Sequence, residues 1–410
     1  MKRGTSRDIR TANRYEVLRR IIARSPASRQ ELAAATGLSL ATVATLVGEL
    51  LGLGLLTEAG FEDSAGGRPR GLVAVHRSGG ALIGVDIAET WVRVELFDLA
   101  LTVRARAEER IRPTGIRPEQ VAARVAAAVD AVVAQAGAAG ARVLGTGICV
   151  PGPVDRDRGT AGYAAHGDRP EVPLLGLLAE HLGHPLYLDS PLRASVTAEQ
   201  WFGAARGRGD AVVVTLGTGV GAGLALGGGL HRGAGDRAGE WGHTTLVLDG
   251  RPCPCGDRGC VEAYVGAPGI LRNLRERSPD SPLLRPGDQT ATLDALGRGA
   301  AEGDPVALAV VHDTARFLGA ATAGLVQLLD PEVVVLSGWV AAALGEPLLT
   351  EVRAAVGRHA LRRSFTATEI VLSTVPTDPV CLGAAVLALE GALRSVGTPR
   401  TTPGPPPPRT

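Results

Sequence analysis

Residues 240–262 read EWGHTTLVLDGRPCPCGDRGCVE, with one histidine and three cysteines standing between two carboxylates. His243, Cys253, Cys255 and Cys260 offer one imidazole and three thiolates, a soft tetrahedral set that suits Zn2+. Gly256 and Gly259 let the backbone turn tightly enough for three sulfurs to converge on one ion. With four protein ligands no position is left for water, so the expected role of the metal is structural. The alternative, three unconnected buried thiols, fits poorly with a Cys-x-Cys-x4-Cys run downstream of a histidine.

Working outward, the other two cysteines, Cys149 and Cys381, sit in apolar runs, where a free thiol packs as a small hydrophobe. No disulfide framework is expected. The chain opens MKRGTSRDIR without an apolar signal core, and no stretch approaches the ~20 apolar residues of a membrane span. The expectation is a cytoplasmic protein without a membrane partner. With 410 residues, 45% of them hydrophobic, the chain can bury several cores. Its net charge of +1 conceals an asymmetry: residues 1–77 hold 12 Lys+Arg against 7 Asp+Glu, and the rest hold 31 against 35. The basic end is the candidate nucleic-acid surface.

Within that end, Val17, Leu18, Ile21 and Ile22 recur at helical spacing between Asn13 and Arg24, and Pro26 stops the pattern. Ser28 and Glu31 have the spacing of a capping box for a short second helix through Ala35. Gly37 makes a turn, and Ser39 caps a third helix, LATVATLVGELL, with Val43, Leu46, Val47 and Leu50 facing inward. Helix, turn and helix in this order suit DNA reading. The tip SAGGRPRG then reads as a wing carrying Arg68 and Arg70 towards a minor groove. The third helix has no Arg or Lys from Ser39 to Leu51, so base contacts fall to Ser39, Thr42 and Thr45. Phosphate contacts fall to Arg29, Arg19, Arg20 and the wing. A small helical protein-interaction module is the alternative.

Further along, GVDI, WVRVELFD and LTVRARAEERIR read as three consecutive strands, and VVVTLGTGVGAGLALGGGL at 212–230 repeats the pattern. Each is followed by helical segments, from Pro118 to Gln135 and from Pro268 onward. This predicts a duplicated α/β architecture with a cleft between two lobes. Gly217, Gly219, Gly221 and Gly223 allow backbone amides to approach a ligand, although tight hairpins select glycine too.

Together, Glu240-x-Gly-His243, CPCGDRGCVE, LGTGVGAG and PGPVD at 151–155 resemble the ROK family of sugar kinases and sugar-responsive repressors, in the subgroup with an N-terminal winged helix-turn-helix. The resemblance spans roughly residues 13–393. It implies an actin-like, ribonuclease-H-like fold of two lobes, a homodimer or tetramer, and sugar hydroxyls contacted by Glu240, His243 and Glu262. Family kinases carry Asp-x-Gly-Gly-Thr, whereas this chain has Asp86-Ile-Ala88-Glu89-Thr90. Aligning the family's helical glutamate on Glu199 puts Ser190 and Pro191 where kinases have Asn and the basic Asp, and proline accepts no proton. Asp189, one residue away, is the only rescue. The nucleotide turn is replaced by Ser337-Gly338-Trp339, and the pocket asparagine expected after PGPVD is missing near Ala165.

The resulting expectation is a non-enzymatic, sugar-responsive regulator, a repressor of carbohydrate genes whose partners are operator DNA and a carbohydrate effector. Residues 1–78 form the DNA-binding domain, 79–395 the two-lobed domain, and 396–410, TPRTTPGPPPPRT with its neighbours, a disordered tail. An ATP-dependent sugar kinase is the alternative.

Overall fold

The structure is a computed structural model that describes residues 6–62, 69–88, 91–111, 117–137, 142–162 and 171–395. The expected tail at 396–410, the wing tip with Arg68, Glu89 and Ala165 all lie outside these residues.

The N-terminal unit comprises α1 (Ser6–Ala23), β1 (Ala27–Ser28), α2 (Arg29–Thr36), α3 (Leu40–Gly52), β2 (Leu56–Phe61) and β3 (Gly71–Val75). The three strands form one antiparallel sheet in the order β1-β3-β2 beside the three helices, the order of elements expected of a winged helix-turn-helix. Local chemistry sets the helix ends. The Ser28 amide donates to Glu31 Oε2 (2.8 Å) and the Glu31 amide to Ser28 Oγ (3.3 Å), a reciprocal capping box. Gly37 closes α2 at φ 69°, where a side chain is strained, and Ser39 Oγ accepts the Thr42 amide to start α3. The first helix begins at Ser6 rather than near Asn13, because its polar first turns carry no apolar periodicity to announce them.

The first lobe contains β4 (Ala81–Ile87), β5 (Trp91–Asp98), β6 (Val103–Arg110), α4 (Pro118–Gln135), β7 (Val143–Cys149), the pair β8 (Val154–Asp155) and β9 (Thr160–Ala161), α5 (Leu174–Ala179) and β10 (Leu186–Asp189). After α6 (Pro191–Phe202), the second lobe runs β11 (Ala211–Leu216), β12 (Val220–Leu226), β13 (Gly229–Leu230), a 3-10 turn at Glu240–His243, α7 (Glu262–Val265), α8 (Ala267–Arg277) and α9 (Gln289–Glu302). It continues with α10 (Pro305–Leu329), β14 (Val333–Ser337), α11 (Trp339–His359), α12 (Arg362–Ala367) and β15 (Glu369–Leu372), before α13 (Pro379–Ser395) returns to the first lobe. The sheet orders are β10-β7-β4-β5-β6 and β15-β14-β11-β12-β13. In each, three antiparallel strands are followed by two parallel additions. The duplication expected from the two meanders is therefore present strand for strand.

One helix joins the parts. α13 lies on the first sheet so closely that a Cβ on Gly84 would sit 1.8 Å from the Cys381 carbonyl oxygen, and one on Gly147 1.8 Å from that of Ala384. Its other face meets the N-terminal unit: Leu382, Leu389 and Leu393 share one buried cluster with Val17, Leu18 and Ile21 of α1. Arg14 of α1 donates to the Leu393 carbonyl (3.3 Å) and to Glu49 of α3 (2.6 Å), and Tyr15 packs edge-on against Trp201 of α6 with ring centroids 5.5 Å apart. A boundary near residue 78 thus falls in a turn between β3 and β4, with a continuous core on both sides. Among the described residues no single helix is long and apolar enough to cross a membrane.

The notch can be tested directly. Gly147→Ala should lower stability by about 3 kcal/mol or more, since the helix must move for one methyl group. Gly324→Ala, in α10 where an added Cβ meets nothing within 4 Å, should stabilise by up to about 1 kcal/mol. Denaturant midpoints of the two variants check both.

Candidate functional site

The predicted metal ligands converge. Cys253 Sγ lies 3.7 Å from His243 Nδ1 and Cys255 Sγ 3.7 Å from Cys260 Sγ, and all four ligand atoms fall within 4.8 Å of one another. Four ligands at about 2.0–2.3 Å from a tetrahedral ion are separated by roughly 3.5–3.8 Å, a spacing that the two 3.7 Å contacts already have. Gly256 (φ 94°) and Gly259 (φ 80°) supply the turns, and at Gly259 a Cβ would also strike the Val247 carbonyl oxygen at 1.7 Å. Burial pushes the Cys253 and Cys260 thiols up, with the Cys255 thiol adding to the effect at Cys260. A divalent cation at the centre reverses that balance, because coordinating thiols give up their protons.

The expected sugar ligands surround this cluster. Glu240 and His243 begin and end one 3-10 turn, Glu240 exposed and His243 half-buried. The turn is pressed onto β12, where a Cβ on Gly242 would sit 1.9 Å from the Val220 carbonyl oxygen. His243 directs Nδ1 to the sulfurs, which leaves Nε2 on the opposite edge of the ring. Glu262 opens α7 with Oε1 3.6 Å from Cys253 Sγ, while its Oε2 accepts the Val220 amide at 2.9 Å. The glycine turn 217–220, the Cys/His cluster, His243 and Glu262 are therefore joined by direct contacts, while Glu240 stands exposed at the start of the same 3-10 turn as His243.

The DNA-side candidates lie on α1, α2, α3 and the residue before β3. On α3, Thr45 is exposed and Thr42 half-buried; Ser39 Oγ and Thr42 Oγ1 are 2.8 Å apart, and Thr45 Oγ1 donates back to the Ala41 carbonyl (3.0 Å). The exposed residues of α3 are Leu40 at its start and then small groups, Ala41, Ala44, Thr45 and Gly48 among them. Arg29 lies 3.4 Å from Glu58 and Arg70 3.8 Å from Glu62, pairings that sequence reading missed. Arg19 and Arg20 both bond to Glu16 at 2.8 and 2.7 Å, so phosphate contacts from them compete with an existing ion pair. Exposed pairs of this kind are weak.

At the cleft, Asp189 ends β10 and Ser190 caps α6 ahead of Pro191. Burial would push the Asp189 carboxyl up, but the hydrogen bond from Arg232 and the charges of Arg193, Arg232 and Arg156 outweigh it and hold the group below its ordinary value. Asp86 lies in β4, with Trp91 Nε1 3.5 Å from its Oδ2. Trp91 in turn meets Trp339 at the start of α11, ring centroids 6.3 Å apart and planes at 74°. Trp91 was not singled out from sequence; its position directly after the Asp86–Thr90 segment was the available signal.

The sequence profile of the ROK family matches residues 82–391. The chain belongs to the ROK family. Among ROK relatives, the xylose repressor of Caldicellulosiruptor bescii is 27% identical over 389 residues, covering 94% of this chain and 97% of that protein. The glucokinase of Thermotoga maritima is 36% identical over 251 residues, covering 60% of this chain and 78% of that protein. Of solved structures, a ROK family transcriptional regulator homologous to the E. coli MLC protein superposes with a TM-score of 0.76 at 23% identity, covering 94% and 97% of the two chains. A ROK family glucokinase from Streptomyces griseus, in complex with glucose and AMPPNP, gives 0.66 at 30% identity, covering 76% and 100%.

Asp86 sets a pH dependence. Burial pushes its carboxyl up from an ordinary 3.8 to about 7, aided by the charge of Asp378 and opposed by Arg93 and the Trp91 hydrogen bond. The folded protein holds this proton more tightly than the unfolded chain does. Its contribution to stability is therefore full below about pH 4 and is lost as the pH rises through about 7. Asp86→Asn keeps an acceptor for Trp91 and removes the buried charge. It should raise Tm by a few degrees near pH 8 and leave it nearly unchanged near pH 4, as read by calorimetry at both values.

Proposed function

We propose that this ROK protein is a sugar-responsive, DNA-binding transcriptional regulator, a repressor, without kinase activity. The observation that carries this reading is the extent of similarity: the xylose repressor matches through the N-terminal helices, across 94% of the chain, whereas the Thermotoga maritima glucokinase matches 60%. Residues 1–78 would dock on an operator with α3 in the major groove, where Thr45 and its small neighbours meet base edges and thymine methyls. Arg29, Arg70 and Arg68 would hold the phosphates. A homodimer would present two such units to two half-sites.

Residues 79–395 would form the sensor. Glu240 and Glu262 offer acceptors to sugar hydroxyls, and His243 offers Nε2 while its other nitrogen is fixed at the metal cluster. A ring oriented in this way loses little freedom when a ligand binds. Zinc is the ion that suits three thiolates and an imidazole, and its role is to hold the loop.

Against phosphoryl transfer stand three features of the cleft. Pro191 accepts no proton where a base is needed, and losing a general base costs about 10²–10⁴ in rate. Asp189, the possible substitute, is committed to arginines and held in a poorly basic state. Trp91 and Trp339 occupy the space between the Asp86 segment and the Ser337 turn.

The experiment is equilibrium binding to DNA from upstream of its own gene at fixed salt, titrated with D-xylose, D-glucose and their phosphate esters. Specific binding released by one of these compounds is expected; absence of any specific DNA binding sinks the reading and sends attention to a kinase assay. Arg29→Ala and Arg70→Ala should each reduce the salt slope of log Kd by about one. The purified chain should carry one zinc by metal analysis. Cys260→Ser should lose it and weaken sugar-induced release, whereas an unchanged response in a folded, metal-free variant would count against coupling through His243.

A further inference from the structure

The two lobes touch through a pair of indoles whose surroundings lead in opposite directions. Trp91 opens β5 of the first lobe, and Trp339 opens α11 of the second. On the second-lobe side, Trp339 rests against the glycine turn: a Cβ on Gly217 would lie 3.1 Å from its Nε1. That turn is tied to Glu262 through the Val220 amide. Glu262 and Trp339 therefore contact opposite ends of the same short turn, residues 217–220.

On the first-lobe side, the Arg93 guanidinium lies 5.4 Å from the centre of the Trp91 ring and is ion-paired to Asp378. Asp378 caps α13, accepting the amides of Val380 (3.0 Å) and Cys381 (2.8 Å). The far end of the same helix presents the Leu393 carbonyl to Arg14, and Arg14 also grips Glu49 on α3. Gly84 and Gly147 seat α13 on the first sheet without clearance, so helix and sheet move as one body.

We propose that Trp91 and Trp339 form an interlobe latch, and that α13 is the rod that reports its state to the DNA-reading helix. The proposal rests on the sensor reading above. With the latch closed, the rod holds α1 and α3 in the arrangement seen here, which is the operator-binding state. A ligand engaging Glu262 shifts the 217–220 turn, withdraws Trp339 from Trp91 and frees Arg93 and Asp378 to move with α13. Such a ligand acts only through its higher affinity for the unlatched state.

The test uses the full-length, zinc-loaded chain. Operator Kd is measured for Trp91→Ala, Trp339→Ala and the double variant, with Trp91→Phe and Trp339→Phe as conservative controls and melting curves as the check on folding. An edge-to-face pair is worth roughly a factor of ten in an equilibrium constant. Each alanine variant should therefore weaken operator binding about tenfold, the double variant should be no weaker than either single, and the phenylalanine variants should stay near wild type. D-xylose should release the alanine variants at roughly tenfold lower concentration. If Trp339→Ala does not fold, Trp339→Leu takes its place. Operator affinity unchanged in the alanine variants, or losses that multiply in the double variant, overturns the latch. A wild-type chain that binds no operator, or is released by no sugar, instead removes the sensor reading on which the latch depends.

Discussion

The close seat of α13 on the first sheet is the constraint on which the remaining structure depends. Two strand glycines, Gly84 and Gly147, bring the helix backbone to the sheet at a distance no side chain would permit, and Gly383 does the same for α6. Close approach of this kind fixes the helix in position as well as angle. Once fixed, it offers one face to the N-terminal helices and carries at its start the carboxylate that Arg93 grips. The winged unit, the first lobe and the interlobe contact are thereby referred to a single element.

The metal cluster plays the corresponding part in the second lobe. The loop from Thr244 to Cys260 contains little regular structure, and its backbone bonds run mostly within itself, such as Cys253 to Asp257 and Gly259 to Arg251. A segment of this kind has few buried apolar groups, and an ion shared by its four ligand atoms would fix its shape instead. Its neighbours then acquire definite positions: His243 is turned by its Nδ1, and Glu262 is divided between a sulfur on one side and the Val220 amide on the other.

Much of this was legible in the sequence where the signal is local. The capping box at Ser28 and Glu31, the turn at Gly37, the helix from Pro118 to Gln135 and the convergence of three cysteines on a histidine all depend on residues within about one loop of each other. The two meanders were visible because strand periodicity survives in the first sheet's edge strand β6 and in β5. What stayed hidden involves partners far apart in the chain. Trp91 and Trp339 meet across 248 positions, Arg14 reaches Leu393 across 379, and no spacing rule connects them. The pairing of Arg29 with Glu58 escaped for the same reason, as did Arg156 and Arg232 at Asp189, whereas Arg70 with Glu62 and Arg193 with Asp189 are near neighbours whose pairing depends on the local hairpin and helix geometry. β1, only two residues long, carries no periodicity at all.

The shared core beneath the N-terminal helices bears on how such proteins diversify. Leu382, Leu389 and Leu393 are shaped to Val17, Leu18 and Ile21, so the head is built against the last helix of the body rather than strung from it. Grafting another relative's head onto this body at residue 78 would leave those leucines facing a stranger's surface, and the graft would need α13 to travel with it. Recombination that exchanges both ends of the gene together preserves the fit, whereas exchange of the front alone breaks it.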